Sequence, residues 1–296
     1  MSKINYEIIK LSNFVSPFFS IAIGNFNGLH LGHMSLIKEV YKIAENTNSN
    51  SAILTFNHTD NYQLLDDFDK KNILRNEHIS AIISVSFDEY FKSLSKEDFI
   101  SFLLSLNVKN IVVGEDFRFA KNRTGNVLDL ISSPIHTKVL SLKTIKKQKI
   151  SSSNIIACLQ NGNIESANEM LNYPYHINGV VQHGLRNGHK IGFPTANISF
   201  ENYVIPKIGV YAAKIIVANQ SYYGMAYIGT HSTIDELKKP ILEVNIFDFN
   251  ADIYQKNIRV ELHKYLTNSF TFNSLDELKF ALTKYKNETL NFFSKL

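Results

Sequence analysis

Two kinds of hydrophobic pattern follow one another along this chain, and together they constrain the fold more than any single motif does. In the first half, short apolar runs alternate with stretches whose apolar residues recur at helical spacing. FSIAIGNF, SAILTF, ISAIISVSF and NIVVGEDF read as strands. HMSLIKEVYKIAENT and SKEDFISFLLSL read as helices, the second with Ser95 as N-cap and Asp98 as its N3 acid. Strand and helix in alternation predict an α/β unit with a mostly parallel sheet, whose ligands bind beyond the carboxyl ends of the strands. From about Ile177 to Leu266 the runs become short and β-rich: GVYAAKIIVA, YYGMAYIG, ILEVNIFDF and IRVELHKYL, separated by Gly, Asn and Asp turns. That pattern predicts an antiparallel barrel or sandwich. A last helix, SLDELKFALTKYKNETLNFFSKL, carries Ser274 and Glu277 in the spacing of a capping box. The boundary falls near residue 175, in NYPYH, which gives units 1–175 and 176–296.

Composition narrows the class of partner. The formal charge of +4 over 296 residues suits anionic small molecules and gives no reason to expect nucleic acid, which calls for clustered Lys and Arg. A single cysteine, Cys158, leaves no internal disulfide and fits a reducing cytoplasm. The opening MSKINYEIIKLSNF mixes polar and apolar residues too closely for a signal peptide, and no apolar run approaches the ~20 residues of a membrane span. A cytoplasmic protein without membrane or nucleic-acid partners is expected, with a weak homo-oligomer left open. Of 31 basic residues only Arg75, Arg118, Arg123, Arg186 and Arg259 are arginine.

The stretch IAIGNFNGLHLGH, residues 21–33, runs from a strand through glycines into a helix. Such a turn gathers free backbone N–H groups and the positive helix end at one point, which suits phosphate. Gly24 and Gly28 let the backbone approach a ligand, and His30 and His33 lie about one helical turn apart. Two imidazole donors there would stabilise charge growing on an α-phosphate as pyrophosphate leaves, without a protein nucleophile. A metal pair is the alternative, but no nearby Cys, Asp or Glu completes a ligand set; two ordinary surface histidines are another.

In the second half, Gly184, Gly188 and Gly192, in and just before NGHKIGFPTANI (187–198), precede a proline-fixed extended segment. Thr195 and Asn197 occupy alternate positions, so their side chains point the same way. A hydroxyl and an amide oxygen suit a Mg²⁺ that keeps water and phosphate oxygens. Outward polar residues at the start of a barrel strand are the plainer reading. Glu243 sits inside the apolar run ILEVNIFDF, where an acid needs solvent, a cation or a task. A carboxylate there could accept the proton of a hydroxyl that attacks the γ-phosphate of ATP.

These motifs resemble those of a known family. GNFNGLHLGH is similar to the GxFDGxHxGH signature of HxGH-class nucleotidyltransferases, in particular bacterial FAD synthetases. VGEDFRFAKNRTG (113–125) resembles that family's GxDFRFGxxxxG loop, and KISSSNI (149–155) its ISSTxIR phosphate turn. GFPTAN, IGVYAAKI (208–215) and LEVNIFDF resemble the riboflavin kinase module. The resemblance covers nearly the whole chain and implies a Rossmann-like nucleotidyltransferase domain followed by a six-stranded antiparallel barrel with a terminal helix. It implies that riboflavin is phosphorylated to FMN and that FMN is adenylylated to FAD, with ATP and Mg²⁺. It assigns ATP phosphates to His30 and His33, with Gly24, Phe26, Asn27 and Gly28 of the same motif at the nucleotide. Asp116 would hold nucleotide or flavin phosphate, and Ser151, Ser152 and Ser153 a phosphate. Gly184, Gly192, Thr195 and Asn197 would bind the second nucleotide, Thr195 and Asn197 through Mg²⁺, and Glu243 would be the general base.

Several positions depart from the pattern. Asn27 stands where the family has Asp, which removes a negative charge. Asn154 and Ile156 stand where the phosphate turn has Arg, and Ser153 replaces Thr. Loss of a guanidinium beside reacting phosphates removes bidentate stabilisation that Lys146, Lys147 or Lys149 would supply only as point charges. NHTD follows the TF of the second strand in place of a Pro-rich turn, Ala120 replaces Gly, His189 replaces Arg, and GTHST (229–233) replaces GTRPT. Two rival expectations follow: a riboflavin kinase with a weakened adenylyltransferase unit, or a non-catalytic flavin or nucleotide sensor.

Overall fold

The computed structural model describes residues 4–57, 62–183, 192–230, 240–268 and 274–296. Contacts divide the chain into two compact units, residues 1–61 with 66–151, and residues 62–65 with 152–296.

The first unit contains β1 (Tyr6–Lys10), β2 (Phe19–Ile23), α1 (Leu31–Thr47), β3 (Asn50–Asn57), α2 (Asp67–Asn76), β4 (Ala81–Ser86), α3 (Glu89–Lys92), α4 (Lys96–Ser105) and β5 (Val108–Gly114). It continues with β6 (Arg118–Phe119), β7 (Gly125–Asn126), α5 (Val127–Ile131), β8 (His136–Leu140), β9 (Thr144–Ile145) and β10 (Gln148–Lys149). Strands β4, β3, β2, β5 and β8 lie side by side in that order and run parallel, and β1 adds an antiparallel edge on β4. Every residue of β2 is buried. A parallel strand covered on both faces has no polar side, which is why FSIAI reads as an unbroken apolar run. Helix α1 turns Leu36, Ile37, Val40 and Ala44 inward and stops at Asn48, whose left-handed backbone (φ 48°) closes the C-cap onto Ala44. Ser95 caps α4 as expected, accepting from the backbone N–H of Asp98 at 3.0 Å. The chain leaves β2 toward β3 and β4, then crosses back to β5 on the other side of β2. The order therefore reverses between β2 and β5, and their carboxyl ends open the crevice where such sheets bind ligands.

The second unit contains α6 (Ser152–Asn161), α7 (Ile164–Leu171), β11 (His176–Gln182), β12 (Ala196–Ser199), β13 (Gly209–Val217), β14 (Gln220–Thr230), β15 (Pro240–Ile246), β16 (Asn257–Thr267) and α8 (Leu275–Phe293). The six strands close in the order β11-β12-β15-β14-β13-β16, all antiparallel. The barrel-or-sandwich expectation thus resolves to a closed barrel. Val181, Ile198, Leu242, Ile228, Tyr211 and Val260, all buried, lie on the inward face of their strands. Helix α8 covers the outside, with Phe293 stacked on Tyr223 at 4.3 Å. Ser274 caps it, accepting from the Glu277 N–H at 3.2 Å.

Sequence placed the division near residue 175, whereas contacts divide the chain between Ser151 and Ser152. The reason lies in α7. Asn168 donates from Nδ2 to the Leu262 carbonyl of β16 at 2.9 Å and accepts from the Tyr175 N–H at 2.7 Å, which ties the helix to the barrel.

Candidate active sites

In the first unit the loop from Gly24 to Leu29 is anchored from inside. Phe26 and Leu29 are buried to 0% and 1% exposure, and both hold left-handed backbone, at φ 47° and 40°. Gly28 between them has φ 83°. Non-glycine residues pay strain for such φ values, so burial of the two side chains is what keeps the loop in this shape. The Thr55 hydroxyl of β3 adds a bond to the Asn25 carbonyl at 2.9 Å. Asn27 stays half-buried at the surface of this turn.

The loop delivers His30 to the N-cap of α1. Its Nδ1 accepts from the His33 backbone N–H at 3.3 Å, so the neutral ring carries its proton on Nε2. The His30 and His33 rings stack with centroids 3.6 Å apart, and Phe26 lies 5.0 Å from His33. Gly32 makes the stack possible: a Cβ there would meet His30 Nδ1 and Cε1 at 3.2 Å. Burial lowers the His30 pKa from 6.5 to about 4. The His33 value is also pushed well below the ordinary one, by burial first and then by His30 and Lys70. Both rings are neutral donors at physiological pH rather than cations. His33 Nδ1 is buried and makes no hydrogen bond among the described residues.

Asp116 follows β5, so it and the two histidines lie at the carboxyl ends of neighbouring strands on either side of the switch point. Its Oδ2 pairs with Lys149 Nζ at 2.5 Å, both side chains about half exposed. Sequence had weighed Lys149 as a stand-in cation for phosphate but had not foreseen this partner, 33 residues away. The β6–β7 hairpin beyond Asp116 walls a cavity of about 320 Å³. Phe56, Phe87, Phe117 and Phe119 give it aromatic walls, and Arg118 and Arg123 stand at it. No sequence motif had marked this cavity, although FRF within the 113–125 loop supplies part of it. Ser151 is the last residue of the first unit, and Ser152 and Ser153 open α6 in the second.

In the second unit, the ladder brings two predicted residues, Asn197 and Glu243, onto one face. Asn197 of β12 is the direct cross-strand partner of Glu243 of β15, and Glu243 is in turn opposite Tyr227 of β14. Paired residues share a face, and the flanking Leu242 and Val244 are buried inward, so Asn197, Glu243 and Tyr227 point outward. Thr195, two residues before Asn197, is half-buried at the head of the same strand. Tyr227 lies flat over Gly229, where an added Cβ would fall 2.5 Å from its hydroxyl. A cavity of about 280 Å³ begins at Pro194, Thr195 and Ala196 and extends to Phe249, Asp252 and Tyr254. The hydroxyl and amide oxygens of Thr195 and Asn197 are hard, neutral donors beside a carboxylate on a half-exposed face, a set that fits Mg²⁺ with retained water. Among the described residues no cluster of three His, Cys, Asp or Glu could hold a metal, so the two-histidine metal reading finds no third ligand. Gly192 is exposed with φ 80°; Gly184, Gly188 and His189 lie outside the described residues.

Comparison with known proteins gives each unit a match. The FAD synthetase family model covers residues 17–154 and the riboflavin kinase model residues 171–293. The bifunctional riboflavin kinase/FMN adenylyltransferase of Bacillus subtilis (strain 168) is 36% identical, over 93% of this chain and 93% of its own length. The chain belongs to the bifunctional riboflavin kinase/FMN adenylyltransferase family. A second member, from Buchnera aphidicola subsp. Schizaphis graminum, is also 36% identical, over 90% of this chain and 91% of its own. Among solved structures, one described as a macrolide-efflux protein from Streptococcus pneumoniae shares the fold at TM-score 0.86 and 28% identity, covering 95% of this chain and 97% of that one. The stacked histidines fall inside the part matched by the FAD synthetase model, and the Asn197–Glu243 pair inside the part matched by the riboflavin kinase model.

Proposed function

We propose that this chain makes both flavin nucleotides. The barrel unit transfers the γ-phosphoryl group of ATP to riboflavin, giving FMN and ADP. The α/β unit joins FMN to the AMP moiety of a second ATP, giving FAD and pyrophosphate. The module limits proposed for the two activities are 1–175 and 176–296. The buried free thiol of Cys158 suits work in a reducing cytoplasm.

In the barrel, Glu243 takes the proton of the terminal ribityl hydroxyl as that oxygen attacks, so the bridging oxygen of the new phosphate ester is left without positive charge. Thr195 and Asn197 hold a Mg²⁺ whose charge, when bound, offsets that of the nucleotide phosphates. In the α/β unit, a phosphate oxygen of FMN displaces pyrophosphate from the α-phosphorus. His30 Nε2–H and His33 donate to the oxygens on which charge grows, together with the N-terminus of α1. Gly24, Phe26, Asn27 and Gly28 shape the loop that admits the phosphates; Asp116 orients nucleotide or flavin phosphate. Ser151, Ser152 and Ser153 donate to a phosphate, and Gly184 and Gly192 flank the kinase nucleotide. The aromatic cavity beside Asp116 takes the isoalloxazine ring, since flat faces stack on Phe and the two arginines suit its phosphate.

The observation that carries the proposal is the cross-strand pairing of Asn197 with Glu243, which puts a candidate base next to a candidate metal ligand. The test is product analysis with riboflavin, ATP and Mg²⁺. Glu243→Gln is expected to abolish FMN formation and spare FAD formation from supplied FMN; retained kinase activity would remove Glu243 from the mechanism. A second reading, weakened adenylyl transfer, draws support from Ile156, a half-buried apolar residue where the family's turn has Arg. It expects FMN to accumulate with little FAD.

A further inference from the structure

Asn245 is 8% exposed, on the outward face of β15 two residues beyond Glu243. A buried amide costs free energy unless it is bonded, and an aliphatic side chain would fill the same space without that cost. Its Nδ2 donates to the Pro194 carbonyl at 2.7 Å, 51 residues away. The location of that bond is informative. Pairing of β12 with β15 ends at the Ala196–Val244 rung. One step further, where Thr195 would face Asn245, there is no rung, and Pro194 beyond it has no N–H with which to continue a ladder. The Asn245 side chain gives the Pro194 carbonyl the donor that a continued ladder would have drawn from the β15 main chain. It pins the peptide unit that joins Pro194 to Thr195, while the last rung fixes Ala196 on the other side.

We propose that Asn245 is a positioning residue of the kinase site, holding the Pro194–Thr195 peptide so that the Thr195 hydroxyl stays in line with Asn197 and Glu243. The proposal rests on the reading that Thr195 and Asn197 hold Mg²⁺ with the nucleotide. Asn245 touches neither substrate nor metal; it acts through Thr195. Without the bond, the Pro194 carbonyl is left without its donor and Thr195 is free to turn away from the outward row.

The test measures ADP binding by calorimetry at increasing Mg²⁺, on the full chain, for Asn245→Leu, Asn245→Asp and Thr195→Val. Asn245→Leu keeps the bulk and removes the donor; Asn245→Asp keeps the shape and removes the donor at neutral pH. Mg²⁺-independent ADP binding and the thermal unfolding transition report that the barrel of each variant is folded. Both Asn245 variants are expected to raise the Mg²⁺ concentration needed for half-maximal ADP affinity by roughly five- to tenfold, the loss of one hydrogen bond. Mg²⁺-independent ADP binding stays as it was, which a merely structural loss would not spare. An unchanged Mg²⁺ requirement in a folded Asn245 variant, with the requirement raised in Thr195→Val, would overturn the positioning role and leave the metal reading standing. An unchanged requirement in Thr195→Val would overturn the metal reading, and the Asn245 proposal with it.

Discussion

His30 ties the chemistry of the first unit to its stability, because its ring is both an N-cap and a buried titratable group. Burial lowers its pKa from 6.5 to about 4, and the residue is only 6% exposed, so solvent screening takes little from the effect. The unfolded chain, with an ordinary histidine, takes up a proton as pH falls through about 6.5, while the folded chain does not until about pH 4. Between those values the unfolded state binds more protons, so stability falls as the solution is acidified. The difference of about 2.5 in pKa corresponds to about 3 kcal/mol. His30→Asn isolates it: an asparagine oxygen still caps α1 by accepting from the His33 N–H, and nothing at position 30 titrates. Urea unfolding followed by circular dichroism from pH 7.5 to 4 should show wild type losing about 3 kcal/mol more than His30→Asn. Relief of His33, whose own pKa His30 helps depress, works in the same direction. Parallel stability curves for the two proteins down to pH 4 would refute the reasoning.

Two further substitutions test how the first unit holds its groups. Gly32→Ala places a Cβ 3.2 Å from the His30 ring, so the stack must shift by a few tenths of an ångström. FAD formation is expected to fall at least tenfold, against an enthalpic cost of about 1 kcal/mol in stability, while FMN formation from riboflavin stays unchanged. Lys149→Met removes the partner of Asp116, but both side chains are about half exposed. Stability should stay within about 0.5 kcal/mol, measured by thermal unfolding, while the Michaelis constant of the adenylyl step changes severalfold. A large stability loss there would mean that the pair is structural.

Local pattern was enough for most elements because their cause is local. β2, β3 and α1 are legible since apolar residues fall at the spacing their burial requires. β1 escaped notice: YEIIK is a short, half-exposed edge strand whose existence depends on pairing with β4, some 75 residues on. Closure of the six-stranded barrel was expected from the family resemblance, whereas local pattern left barrel and sandwich both open, for the same reason. The β11–β16 ladder joins His176–Val180 to Asn257–Glu261, and nothing in either segment names the other. Sequence put α6 and α7 before the boundary, whereas contacts group them with the barrel, because an amphipathic helix shows which face is buried, not against what. At the sites, Glu243 was noticed as a polar residue in an apolar strand, and Asn245, two positions on and equally out of place, was not. The period of two was the available signal.

The two sites are also held by different physics, and this sets how each tolerates change. Asn197 and Glu243 owe their juxtaposition to strand register, which slips only in whole residues and at the cost of turning Leu242 and Val244 outward. A substitution at either position therefore removes a functional group without moving its neighbour. His30 and His33 owe theirs to a loop with three demands for positive φ within four residues, at Phe26, Gly28 and Leu29, met by burying Phe26 and Leu29. Here a change to an anchor that touches no ligand releases strain and moves both rings together. The adenylyl site should thus be lost through residues such as Leu29 that carry no chemistry, whereas the kinase site should be lost mainly through the residues that do.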